Sequence, residues 1–146
     1  MKVTSEAQID APIEKVFEVF TDIGHAAERL TGVIKVEILS QKQHGAGLRW
    51  RETRKMFGKE ATEEMEITKF NAPNMYQVDA ESHGSHYTTL FYFEERGEGT
   101  HVKWEFIGTP ISLGAKLLSI LGFLAKGTTK KMMDQDIADL KSFIEG

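Results

Sequence analysis

Cysteine is absent from this chain of 146 residues, and disulfides, thiolate catalysis and cysteine-ligated metal sites are excluded with it. Positive charge is also short. Eighteen Lys and Arg stand against 22 Asp and Glu, a formal net charge of -4, so there is no concentrated basic surface to neutralise phosphates and no reason to expect nucleic acid as a partner. Long hydrophobic runs are missing too. The most apolar stretch, ISLGAKLLSILGFLA at 111–125, is broken by Ser112, Lys116 and Ser119 and falls short of the ~20 residues a membrane span requires. It is expected to be a buried or surface-docking helix, without stable membrane insertion. The opening MKVTSEAQID alternates polar and apolar residues and has no apolar core of the kind a secretory signal carries, which leaves a cytoplasmic location as the expectation. There is no Gly-rich phosphate loop, since GAG at 45–47 reads as a hairpin turn, and no GxSxG elbow.

What is present suits one soluble globular domain, 1–146, with 40% hydrophobic and 27% charged residues. Val3, Ala7 and Ile9 fit an opening strand whose face includes Ser5. Asp10-Ala11-Pro12 then offers a cap-like Asp and a proline suited to a first helical turn. A short helix with Val16, Phe17 and Phe20 as its stripe follows, and a second short piece runs from about Asp22 to Leu30. From Val33 to Gly108 the period becomes two, with turn signals at HGAG, FGK, NAPN, HGS and RGEG, which predicts six further strands in a meander. From Ile111 onward one long helical pattern runs through Leu113, Leu117, Leu121, Leu124, Thr128, Met132, Ile137, Leu140 and Ile144.

Opposed residues in an antiparallel pair have a constant sum, so the hairpins constrain one another. A turn at Gly58-Lys59 sets Arg54 against Glu63, Glu52 against Met65 and Trp50 against Ile67. The loop 71–74 sets Ile67 against Val78 and Glu63 against Ser82. A Gly84-Ser85 turn sets Val78 against Phe91, and the loop at 96–99 sets Phe91 against Trp104. One face then carries four rows. Leu48, Lys69, Tyr76, Phe93 and Val102 form the first, and Trp50, Ile67, Val78, Phe91 and Trp104 the apolar centre. Glu52, Met65, Ala80, Thr89 and Phe106 come next, and Arg54, Glu63, Ser82, Tyr87 and Gly108 last. The other face, with Arg51 opposite Glu66, reads as solvated. The aromatic face has to be covered, and the C-terminal helix is the element with enough apolar surface to cover it. A bent sheet gripping one helix leaves a concave space in which a ligand fits.

The phrases IDAPIEKVFEVFTD, TKFNAPNMYQV and DLKSFIEG resemble the START-like helix-grip superfamily (SRPBCC), in its polyketide cyclase/dehydrase and lipid-transport group, over the whole chain. The resemblance implies an α+β helix-grip fold: a seven-stranded curved antiparallel sheet wrapped around a long C-terminal helix, with two short helices after strand 1 and a cavity for hydrophobic molecules. Members of that superfamily include carriers, ligand-triggered regulators and aromatase/cyclases. No single catalytic signature runs through it, so no catalytic residue is carried over.

The candidate site follows from the rows. Arg54 and Glu63 are expected to form a partly buried pair at the polar end of the cavity, orienting a ligand carboxylate, hydroxyl or carbonyl, with Glu52 beside them as a proton acceptor or donor; the plainer alternative is a wet rim beyond the helix. Ser82, Tyr87 and Thr89 extend that end with hydroxyls, as ligand contacts or as satisfied core groups. Trp50, Met65, Phe91, Trp104 and Phe106 form the apolar wall, and Leu117 and Leu121 face it from the helix. The histidines at 25, 44, 83, 86 and 101 make no metal pattern, and neither metal nor cofactor is expected. Lys126 to Lys131 reads as a solvated helix face, the alternative being transient contact with anionic lipid. Two functions stay open. One is binding or transport of a small hydrophobic or amphipathic ligand; the other is an aromatase/cyclase-type enzyme moving protons with Glu52, Glu63 or Tyr87. A ligand-free interaction domain with a collapsed interior is a third class. Composition does not address oligomeric state.

Overall fold

A computed structural model describes residues 1–56, 58–82, 84–110 and 126–146. Strand β1 (Lys2–Ile9) is followed by α1 (Ile13–Thr21), a 3-10 turn (Ile23–His25) and α2 (Ala26–Arg29). Strands β2 (Val33–Ile38), β3 (Arg49–Met56), β4 (Lys59–Asn71), β5 (Met75–Ser82), β6 (Ser85–Arg96) and β7 (Gly99–Pro110) precede the C-terminal helix α3 (Lys126–Glu145). The sheet has seven antiparallel strands in the order β1-β7-β6-β5-β4-β3-β2. This is the helix-grip arrangement.

The period-two pattern places nearly every inner residue on its expected face, but two hairpins close one residue earlier than the turn signals predict. Met56 pairs with Lys59 and Ser82 with Ser85, leaving Gly58 (φ +76°) and Gly84 (φ +77°) second in their two-residue loops. Glycine at that position relieves the steric cost of positive φ. Moving a turn by one residue changes the pairing sum by two. Trp50 therefore pairs with Met65, Glu52 with Glu63 and Arg54 with Ala61; Val78 pairs with Thr89, and Arg51 with Glu64 rather than Glu66. Parity survives, so the face does. The β6–β7 register, with Phe91 on Trp104, is the expected one.

A shift between Ile67 and Lys69 in β4 does change faces. Beyond it Phe70, not Lys69, pairs with Tyr76, and Lys69 is exposed, because the extra residue of a bulge reverses the alternation. Phe70 then meets Phe17 edge-on at 5.2 Å between ring centres. Asp10 caps nothing: Pro12 holds the N-cap position of α1 without a side-chain cap, and the Asp10 N–H donates to Glu145 Oε2 at 2.8 Å.

At the α1 end the inner face is dry. Tyr76 and Phe91 stack at 4.4 Å, Phe93 lies edge-on to Phe17 at 5.1 Å, and the Tyr76 hydroxyl donates to the Phe20 carbonyl at 3.3 Å. Such contacts add to area burial when rings meet in offset or edge geometry. Helix α3 lies along β1 and is tied down along its length. Ser5 Oγ donates to Asp134 Oδ1 (2.5 Å), the Thr31 N–H and hydroxyl both reach Asp139 Oδ2 (2.9 Å each), and Lys141 Nζ reaches the Gln8 carbonyl (2.5 Å). Its buried stripe is Thr129, Met133, Asp136, Ile137 and Leu140, one position later than expected at its start, where Thr128 is exposed and Met132 half-buried.

Candidate functional site

The inner face, the end of α1 with the segment after it, and α3 border a chamber of about 400 Å³. Its apolar wall comes from the alternating residues of β3 to β7: Trp50, Met65, Val78, Ala80, Thr89, Phe91, Trp104 and Phe106. Phe91 tilts against Trp104 at 5.0 Å and Tyr87 stacks on Phe106 at 5.5 Å. Small residues create the room. Ala61 and Ala80 present only methyl groups where neighbouring rows carry large side chains.

The polar end is built differently from the expected Arg54–Glu63 pair. Arg54 extends from β3 to α3 and takes Asp136 in a fork, with Nη2 2.8 Å from Oδ2 and Nη1 3.3 Å from Oδ1. Its Nε donates to Glu52 Oε2 at 3.1 Å. All three side chains are nearly enclosed, at 11% exposure for Arg54, 12% for Glu52 and 4% for Asp136. They lie beneath the helix and not on a wet rim. Burial alone would lower the Arg54 pKa, but Asp136 and then Glu52 outweigh it and hold the guanidinium firmly charged. Burial pushes the Asp136 carboxyl above the usual aspartate range against the pull of Arg54. Glu63 goes to a different partner and accepts from Ser82 Oγ at 2.9 Å.

Of the sequence-predicted residues, Trp50, Glu52, Arg54, Glu63, Met65, Tyr87, Thr89, Phe91, Trp104 and Phe106 line the chamber. Ser82 stands behind Glu63. Leu117, Leu121 and His83 lie outside the described residues. His25 is 55% exposed and bonded to Asp22 at 2.9 Å, and does not itself line the chamber.

Sequence reasoning missed Asp136 and the segment after α1. Asp22, Ile23, Ala26, Arg29 and Leu30 all face the chamber. Their spacing of three, four and seven is a helical-face signal, and Asp136, four before Leu140, is a charge set into an apolar stripe. Arg29 Nη2 pairs with Asp22 Oδ2 at 3.1 Å while its guanidinium lies 4.2 Å over the Phe143 ring. Among the described residues no group of three or more His, Asp or Glu is placed to hold a metal, and no helix is long and apolar enough to cross a membrane.

A family model described as "Polyketide cyclase / dehydrase and lipid transport" matches residues 1–145. The chain belongs to that family. Among solved structures it is similar to TTHA0849 from Thermus thermophilus, with a TM-score of 0.80 and 21% identity over 99% of this chain and 97% of that one. A START superfamily protein from Mycobacterium smegmatis gives 0.80 at 11% identity, covering 99% and 97%. The di-domain ARO/CYC BexL from the BE-7585A biosynthetic pathway gives 0.78 at 19% identity, covering 100% of this chain and 50% of that one. At these identities the likeness is one of fold. No curated protein matches the chain.

Proposed function

We propose that the protein binds or carries a small hydrophobic or amphipathic molecule in the chamber between the sheet and α3. The observation behind this reading is the chamber itself: about 400 Å³, walled by Trp50, Phe91, Trp104 and Phe106 and graded into a charged end at Glu52, Arg54 and Glu63. An apolar pocket of this size with a few convergent polar groups is the usual form of a small-molecule site. The apolar wall contributes affinity by removing ligand surface from water, and the charged end sets orientation. Titration with the neutral fluorophore N-phenyl-1-naphthylamine tests it. Saturable binding in the wild type that is lost in Ala80→Phe, with the melting temperature retained, supports the reading; no saturable binding in the wild type ends it.

A second reading is an enzyme of aromatase/cyclase type. The likeness to BexL and the placement of Glu52, Glu63 and Tyr87 around one space favour it. In that case Glu52 or Glu63 takes a proton from a folded poly-carbonyl chain and Tyr87 donates to the developing oxyanion. Glu63→Gln that abolishes turnover and leaves substrate binding intact selects this reading over simple carriage.

A further inference from the structure

The chamber's charges do not balance among its described lining residues. Four carboxylates, Asp22, Glu52, Glu63 and Asp136, stand against two guanidinium groups, Arg29 and Arg54, and the Met1 ammonium, which donates to the Gly108 carbonyl. Arg54 is fully engaged by Asp136 and Glu52, whereas Arg29 gives Nη2 to Asp22 and leaves its buried Nη1 without a partner among the described residues. Glu63 has no cationic partner among the described residues, and its hydrogen bond comes from the neutral hydroxyl of Ser82. It also stands directly across the strands from Glu52. An anionic head group placed against Glu63 meets the negative charge of Glu63 and Glu52, and the guanidinium beside them, Arg54, is already taken. A cation or a hydroxyl finds an acceptor waiting.

A second feature independently indicates a molecule in the same space. The indole N–H groups of Trp50 and Trp104, like Arg29 Nη1, have no hydrogen-bond partner among the described residues, although the two tryptophans are 3% and 8% exposed and all three residues line the chamber. Unpaired buried donors are uncommon in folded proteins. An oxygen on the body of a ligand supplies the acceptor that the wall lacks.

We propose that the chamber selects ligands whose head group donates hydrogen bonds and carries no negative charge, a protonated amine or a hydroxyl, and that Glu63 is the residue that selects them. This rests on the binding function proposed above and narrows its ligand class. Free fatty acids, the simplest amphipaths of matching size, are selected against.

The test is displacement of N-phenyl-1-naphthylamine from the full chain by decylamine, decanol and decanoate at about pH 7 and about 0.15 M salt, the physiological range of screening. The three share a chain and differ in the head. Decylamine is expected to displace the probe best, then decanol, with decanoate weaker than the amine by at least about tenfold, since one unit charge a few ångströms from a half-buried carboxylate is worth that much. Glu63→Gln keeps the shape and the Ser82 bond and should shrink the amine-over-acid ratio by about tenfold. Decanoate equal to or better than decylamine on the wild type overturns the proposal without any variant, and an unchanged ratio in Glu63→Gln overturns the role of Glu63. Failure of the probe itself to bind overturns the binding function and the ligand class together.

Discussion

Arg54 on β3 and Asp136 on α3, 82 residues apart in sequence, meet in a two-pronged ion pair of 2.8 and 3.3 Å with only 11% and 4% of their side chains exposed. This pair fastens the helix to the far side of the sheet. It also occupies the one guanidinium of the β-sheet that lines the chamber among the described residues.

Breaking the pair from one side strands a buried charge. Arg54→Met or Asp136→Leu alone should destabilise the protein by about 3–5 kcal/mol, whereas both together should cost far less than the sum. Urea unfolding of the four proteins measures this. Single variants within about 1 kcal/mol of wild type would contradict the geometry.

Gly32 sits against the same pair. A Cβ there would lie 3.3 Å from Arg54 Nη1 and 3.9 Å from Asp136 Oδ1. Gly32→Ala should therefore cost about 1 kcal/mol in the wild type and little in the Arg54→Met/Asp136→Leu background, because the crowded guanidinium is then gone. Equal costs in both would show that the glycine serves the backbone alone.

On the outer face Asp79 accepts from Thr68, from Gln77 at 2.7 Å, from Thr88 at 2.8 Å and from His86 Nε2 at 2.8 Å. Burial raises its pKa, but these donors outweigh it and bring the carboxyl from 3.8 to about 2. A depressed folded pKa means stability that is present above pH 3.8 and lost as pH falls through about 2. The hydrogen bond to Asp79 raises the pKa of His86 above 6.5. Its contribution is therefore full below 6.5 and lost as pH rises through the raised value. Asp79→Asn should lower stability near pH 5 by about 1–2 kcal/mol, and thermal unfolding should show the gap to wild type closing as pH drops from about 4 toward about 2. A gap independent of pH would mean that the carboxylate charge contributes nothing.

Ile67 is fully buried at the centre of the inner face. Ile67→Ala should cost about 2–5 kcal/mol in urea unfolding, more than the same change at Ile34, which is 50% exposed. Similar costs at the two sites would mean that Ile67 is not packed in the core.

The sheet is largely legible in the sequence because alternation survives small errors. Displacing two turns by one residue moves partners by two and leaves Trp50, Ile67, Val78, Phe91 and Trp104 on one wall. The bulge after Ile67 is not legible: no glycine or proline marks it, and it shows only in the register, where Phe70 rather than Lys69 pairs with Tyr76. At the polar end the sequence supplies the right residues with the wrong partners. Hairpin parity assigns Arg54 to its strand neighbour Glu63, whereas its partner comes from the helix that crosses above it. Pattern within a sheet says which face a charge takes; which remote element supplies the counter-charge depends on how α3 lies, and that is set by ties such as Thr31 to Asp139 that no local period encodes.

The central claim is that a ligand occupies the space between the inner face and α3. Backbone amide NMR of the labelled protein titrated with N-phenyl-1-naphthylamine tests it most directly. The account predicts shifts concentrated on inner-wall positions such as Trp50, Met65, Ala80, Phe91 and Trp104 and on Met132 and Asp136 of α3, with Arg51, Lys103 and His86 on the outer face unmoved. Shifts confined to the outer face, or none at saturating probe, would contradict it.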